Sequence, residues 1–234
     1  MKFGKYISVG LLVFAEMTFR SSAAFCVTPY IDFTPVLVMP QDDQVNDSFG
    51  NGYGFIADCG IIKDHFSFAL GFSYRSYFDR RYYDNYYRDY GNWHLSNMVY
   101  LSLYNLNLSV RGDLIENRSG TSIFGAFGAG IYFSDWDLKK AAFYENHGYL
   151  YTETGQRKFP GFEFQLGFEI PIDTKISIRS SLNYSHLLTD IRVKAREYRY
   201  HADDPNPYDV EFTKEYRGIN LGGKLLGIGL IYRL

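Results

Sequence analysis

The feature that most constrains this chain is a strict two-residue alternation. Phe66, Phe68, Leu70, Phe72 and Tyr74 fall on one side of an extended backbone, and Ser67, Ala69, Gly71, Ser73 and Arg75 fall on the other. The split recurs with Phe162, Phe164, Leu166, Phe168 and Ile170 against Glu163, Gln165, Gly167 and Glu169. It recurs again with Tyr104, Leu106, Leu108 and Val110 against Asn105, Asn107, Ser109 and Arg111. A helix, with its period of about 3.6, would mix these sets; a strand separates them. A slip of one residue would exchange the faces everywhere, so register is strongly specified. About eight such segments occur, near 26–39, 52–61, 65–78, 97–112, 121–134, 159–172, 175–190 and 217–234. Their connections alternate in length. Ile62-Lys63-Asp64, Leu114 to Gly120 and Ile172-Asp173-Thr174 are short or modest, while the stretches near 40–51, 79–96, 135–158 and 191–216 are long and polar. The expected fold is all-β, an eight-stranded antiparallel up-and-down transmembrane β-barrel, with short turns at one end and long loops at the other.

Alternation alone also suits a soluble barrel with its apolar side turned inward. Three observations favour the membrane. Residues 1–24 read as a secretory signal peptide, with Lys2 and Lys5 ahead of the short apolar run Tyr6–Ala15 and small residues Ser22-Ala23-Ala24 at a cleavage site, leaving 25–234 as the barrel domain. The loop lengths are asymmetric along the whole chain. The polar face carries charge in mid-strand, whereas the other face is rich in Phe, Leu and Ile, and in lipid a closed barrel satisfies every backbone polar group. Aromatics make up 19% of the chain, yet mean hydropathy is -0.23; apolar residues must therefore be interspersed with polar ones. The net charge of -2 gives no footprint for nucleic acid.

Gly229, Tyr232 and Leu234 fit a Gly-x-x-apolar-x-apolar ending, with Leu in place of the common Phe and Gly227 where a polar residue is expected. With the strand layout, this ending resembles the small eight-stranded outer-membrane family that includes OmpX and the membrane domain of OmpA. The resemblance implies an assembly signal at these three residues, the cell outer membrane as location, and the barrel-assembly machinery as a partner during biogenesis. Pro29 and Pro35 fall in the first strand, where a bulge or a shorter strand would accommodate Pro35.

Several constellations could carry chemistry. Asp32, Asp58, Glu163 and Glu169 with Arg75, Arg111 and Arg179 belong to the inward face. An eight-stranded barrel is just wide enough to be filled by its own side chains, so these charges are expected to pair as a polar plug rather than line a channel. Tyr82, Tyr83, Tyr86, Tyr87, Tyr90 and Trp93 form an aromatic stretch suited to an extracellular recognition loop, or to an interfacial girdle. Arg111-Gly112-Asp113 is an RGD tripeptide placed at a periplasmic turn, where it could not meet a host cell. Cys26 and Cys59 could pair after export or stand as two small residues. His186 and Asp190 share the lipid-facing side, but Ser185 points inward and Ser180 is too far for direct transfer. The other His residues show no metal spacing, and no cofactor motif is present.

The expected function is a structural or surface-interaction protein of the outer membrane, a non-enzymatic monomer surrounded by lipids including lipopolysaccharide, with a surface ligand for its loops. Rival readings are a lipid A-modifying enzyme and a narrow solute pore.

Overall fold

The computed structural model describes residues 27–40, 51–88, 91–144, 147–201 and 207–234; along 78–88, 91–99 and 143–144 it describes the backbone alone. Ten strands follow one another: β1 Thr28–Pro40, β2 Gly52–Lys63, β3 Phe66–Arg88, β4 Gly91–Glu116, β5 Ser122–Tyr144, β6 His147–Pro171, β7 Ile176–His186, β8 Leu188–His201, β9 Tyr208–Asn220 and β10 Gly223–Arg233. All pairings are antiparallel, and β1-β2-β3-β4-β5-β6-β7-β10 closes into a ring of eight. The seam joins the first described strand to the last: Tyr30 pairs with Arg233, and the Leu234 N–H donates to the Pro29 carbonyl at 3.0 Å.

The ring matches the expected architecture; what rises above it does not. The stretches 79–96, 135–158 and 191–216, expected to be loops, are largely strand. β3 and β4 stay paired up to Arg88 and Gly91, β5 and β6 up to Tyr144 and His147, and β8 and β9 up to Arg199 and Tyr208. β1 and β2 stop at Val38 and Gly52, and residues 41–50 of the fourth expected loop lie outside the described residues. One side of the barrel thus continues as a wall of β3, β4, β5, β6, β8 and β9, while β1 ends at Pro40 and β2 begins at Gly52. Among the described residues, β3 above Tyr77 has no ladder partner besides β4 and β9 none besides β8, so the wall ends in two edges there.

β7 and β8 are one path broken at Leu187, and β9 and β10 one path broken at Leu221-Gly222. The two breaks are adjacent. The Leu221 N–H donates to the Leu187 carbonyl (3.1 Å), and the Asn220 carboxamide oxygen accepts from the N–H groups of Leu187 (2.9 Å) and Gly222 (3.0 Å). At this level β6 changes neighbours, pairing with β7 along Phe162–Pro171 and with β8 along His147–Thr154.

The wall was hidden in the sequence because the alternation turns inside out. In the ring, the outward positions are apolar: Leu108 is 69% exposed and Ile228 68%, and Phe66, Phe68, Phe164 and Leu166 share this surface. In the wall, outward positions such as Asp135, Asp137, Lys139 and Lys194 are polar. Its inner face buries Tyr77, Leu101, Leu103, Trp136, Leu138, Ile191 and Val193 in an apolar cluster. The interior is therefore polar low in the ring and mainly apolar above, where Glu153 is a buried charge.

Pro35 produces neither a bulge nor a shortened strand. β1 runs through it in unbroken register with β2. On the other side the β1–β10 ladder lapses at Thr34 and Pro35 and resumes at Val36↔Gly227 without a shift. The missing Pro N–H sits in that lapse.

Candidate functional site

The side chains that point into the ring form two connected charge clusters. The upper one is centred on Glu163, which β6 aims across the lumen. Its carboxylate is paired with the fully buried Arg75 guanidinium of β3 and accepts from the Tyr132 hydroxyl. Arg75 Nη1 also donates to Ser185 Oγ at 2.8 Å, and Ser185 Oγ in turn accepts from the Gly223 N–H at 3.0 Å. The lower cluster joins Asp32 to Arg179, Arg111 to Glu169 at 2.5 Å, Arg179 to Glu169 at 3.7 Å, and Arg233 to Glu169. Phe124 lies between two guanidinium groups, with Arg111 4.0 Å and Arg179 5.0 Å from its ring centroid. Three strands or more supply each cluster, so each ties remote parts of the ring together through charge-assisted hydrogen bonds.

Six of the seven charges singled out on the inward face therefore have an ion-pair partner. Asp58 has none among the described residues, although it stands beside Asp32 in the β1–β2 register. Its Oδ1, the Asn107 carboxamide oxygen and both polar atoms of the Asn183 amide are buried without a hydrogen-bond partner among the described residues. They surround a cavity of about 30 Å³, enough for water.

At the turn end, His65 lies on the β2–β3 turn, where Asp64 adopts φ 52°. Its Nδ1 is 3.3 Å from Glu116 Oε2. Asp113 of β4 is adjacent, its N–H donating to the His65 carbonyl at 2.9 Å, and its Oδ1 accepting from Arg111 Nη2 at 2.8 Å and from Ser122 Oγ at 3.2 Å. Sequence reasoning missed this group because His65 comes from the β2–β3 turn and Asp113 and Glu116 from the far end of β4. Arg111 and Asp113 of the RGD tripeptide are both engaged in it.

In the wall, Glu153 is 1% exposed. It accepts from Tyr151 (2.5 Å), Trp136 Nε1 (3.2 Å), Lys214 (2.9 Å) and Tyr216 (2.7 Å). Burial pushes this carboxyl up, but hydrogen bonds from Tyr151, Lys214 and Tyr216 and the Lys214 charge outweigh it and hold Glu153 below its ordinary value. Burial first, and then the hydrogen bond to Glu153 and its charge, raise the Tyr151 and Tyr216 hydroxyls well above the usual tyrosine range. The charged anchor between β6 and β9 is thus buried and fully hydrogen-bonded. Nothing in the alternation announced it.

Of the aromatic stretch, the backbone of Tyr82, Tyr83, Tyr86, Tyr87 and Trp93 belongs to the β3–β4 hairpin, with a register shift between Tyr83 and Tyr86. Their side chains and the whole of Tyr90 lie outside the described residues, as do residues 1–24 and Cys26. Cys59 is a buried thiol. His186 stacks on Phe162, Asp190 Oδ1 accepts from the Gly218 N–H at 2.7 Å, and Ser185 points inward, so these three do not converge. At the chain terminus, Tyr232 and Leu234 face outward, as do Leu230, Ile228, Leu226 and Lys224. Gly229 faces inward against β1: a Cβ there would lie 2.0 Å from Thr34 Oγ1 and 2.6 Å from the Phe33 carbonyl oxygen. A Cβ at Gly227 would lie 2.5 Å from Thr34 Cγ2, the reason no polar side chain stands there.

No protein-family model matches the chain, and no curated protein does. Among solved structures it is similar to Neisserial surface protein A, at 12% identity and a TM-score of 0.45 over 89% of this chain and 97% of that one. A major outer membrane protein from Thermus thermophilus shows 10% identity and a TM-score of 0.48 over 89% and 99%. Ail of Yersinia pestis, solved with the heparin analogue sucrose octasulfate, shows 12% identity and a TM-score of 0.36 over 89% and 97%. The architecture rests on the strand pairing itself, and no ligand or activity is carried over from these proteins.

Proposed function

We propose that this chain is an outer-membrane β-barrel protein with a structural or surface-interaction role, exported through a signal peptide at residues 1–24. The observation that carries the reading is the inversion of the polar pattern at one level of the barrel. An apolar band of this extent, running round a closed ring, needs an apolar solvent, and the polar outer surface above it needs water. Tyr74 and Tyr104, 5.1 Å apart at the upper margin, suit the boundary between them. Lys224, on the outward face, reaches that boundary by snorkelling.

The raised wall then faces the outside of the cell, and the short turns and both chain ends face the periplasm. The two charge clusters below and the apolar cluster above support a closed interior, against a narrow solute pore. The dispersed placement of His186, Asp190 and Ser185 gives no support to lipid A chemistry. The surroundings are outer-leaflet lipids including lipopolysaccharide, and the barrel-assembly machinery would recognise the ending Gly229, Tyr232 and Leu234. The Tyr-rich hairpin tip, 82–93, is the candidate contact with a surface ligand.

Cell fractionation with heat-modifiable gel mobility tests the foundation. An outer-membrane protein whose mobility shifts on boiling is expected; a soluble periplasmic protein with no shift would overturn it. Deleting residues 79–93 should abolish any surface binding while leaving the mobility shift, and binding that survives the deletion would remove the hairpin from the proposal.

A further inference from the structure

We infer that His65, Asp113 and Glu116 form a binding site for a divalent transition metal of the zinc class at the turn-end mouth of the barrel. Their ligand atoms all lie within 4.8 Å of one another. Tetrahedral bonds of about 2.0–2.1 Å separate neighbouring ligand atoms by about 3.3 Å, and His65 Nδ1 already stands 3.3 Å from Glu116 Oε2. The exposed ends of His65 and Glu116 can close the remaining gap by rotation.

The backbone brings these residues to one place by a specific device. In a regular strand Asp113 and Glu116 would point to opposite faces. The register instead shifts between Asp113 and Ile115, so Asp113 pairs with Phe124 and Glu116 with Ser122, both inward positions. This bulge turns Glu116 onto the Asp113 side, the kind of re-aiming for which bulges are used. The bond from the Asp113 N–H to the His65 carbonyl ties the end of β4 to the β2–β3 turn.

Asp113 is held as a metal-binding carboxylate usually is. Arg111 and Ser122 fix its Oδ1, leaving Oδ2 without a partner among the described residues, so the carboxylate is oriented before any ion arrives. All three residues border a polar cavity of about 120 Å³. Ser67 Oγ, 5% exposed, lines that cavity with no hydrogen-bond partner of good geometry among the described residues, so it can hydrogen-bond a water in the fourth coordination position. One imidazole and two carboxylates suit zinc, manganese or nickel; calcium takes six to eight oxygens, and copper(I) prefers sulfur.

The test uses the full mature chain folded in detergent micelles, chelator-treated, and titrated with zinc by calorimetry with metal content read after dialysis. About one equivalent is expected. His65→Ala and Glu116→Gln should each weaken binding at least tenfold, while His147→Ala, at the other end of the barrel, should not. Calcium should fail to compete at equal concentration. Heat-modifiable mobility checks that each variant is folded. Absence of retained zinc in the wild type, or equal binding by folded His65→Ala and Glu116→Gln, would overturn the site. Either result is independent of the outer-membrane assignment, which rests on fractionation.

Discussion

Arg75 and Asp58 sit in the same lumen with opposite standing. Arg75 is bound to Glu163 and Ser185, whereas Asp58 has no cation partner among the described residues and Oδ1 is unpartnered. Replacing one partner of a buried pair leaves the other charged and uncompensated, at a cost of about 3–5 kcal/mol. Arg75→Ala should therefore lower unfolding stability in lipid vesicles by about that amount, as read by urea titration of tryptophan fluorescence. Asp58→Asn removes a carboxylate that has no ion-pair partner among the described residues, and should change stability by less than about 1 kcal/mol in the same titration. A cost at Asp58 matching that at Arg75 would contradict this ordering. Gly229→Ala is a packing case. Its Cβ would meet Thr34 Oγ1 and the Phe33 carbonyl oxygen, one of them backbone, and such overpacking costs about 1–3 kcal/mol. The folded fraction on unheated gels should fall accordingly. Most of the inward charges could be named from sequence because they alternate with outward apolar residues, as Arg75 does with Phe72 and Tyr74 and Glu163 with Phe162 and Phe164. Asp58's isolation could not, since it depends on which strands meet across the lumen.

At the scale of elements, β8 and β9 are laddered to one another and, through β8, to β6, and among the described residues neither is laddered to β1 or β10. Glu153 is their polar anchor, and its carboxyl is held below its ordinary value. A depressed folded-state value means that ionised Glu153 stabilises the docked wall. That contribution is complete above the ordinary glutamate range and is lost as the pH falls through the depressed value. Acidification should raise hydrogen exchange across residues 208–217 before it affects β10, and Glu153→Gln should produce the same exchange pattern at neutral pH. Unchanged protection in both would detach Glu153 from the docking of β9. These elements were read as loops because outward apolar residues stop at the upper margin of the ring. The alternation does not stop there: Trp136, Leu138, Ile191 and Val193 continue it on the opposite parity. Sequence reading that follows one face loses the strand when the solvent changes sides. The metal-ligating group was illegible for a related reason, since the bulge at Asp113–Ile115 breaks the parity that would have placed Glu116.

For the molecule as a whole, the inversion level sets a single depth in the bilayer. Leu108 stands in the middle of the apolar band and is 69% exposed. Leu108→Arg should cost about 2–4 kcal/mol of stability in a bilayer. An arginine at an outward position of the wall, Lys139→Arg, should be neutral, and equal costs at both would place the band elsewhere. Planar-bilayer recording should show no steady conductance, because two ionic clusters and an apolar cluster cross the lumen in series.

The seam has a consequence for how the ring comes to exist. Its closing pair, β1 with β10, joins the first described strand to the last, so every other ladder can form between neighbours in time while this one waits for the whole chain. An incomplete copy would present two unsatisfied ladders to the hydrocarbon, where nothing else can hydrogen-bond them. Closure is then an all-or-nothing event with the longest loop of the fold to bridge, and loop entropy makes it the slow one. A chain cut short by even one strand would be an open sheet instead of a smaller barrel, and its fate would be proteolysis rather than partial function.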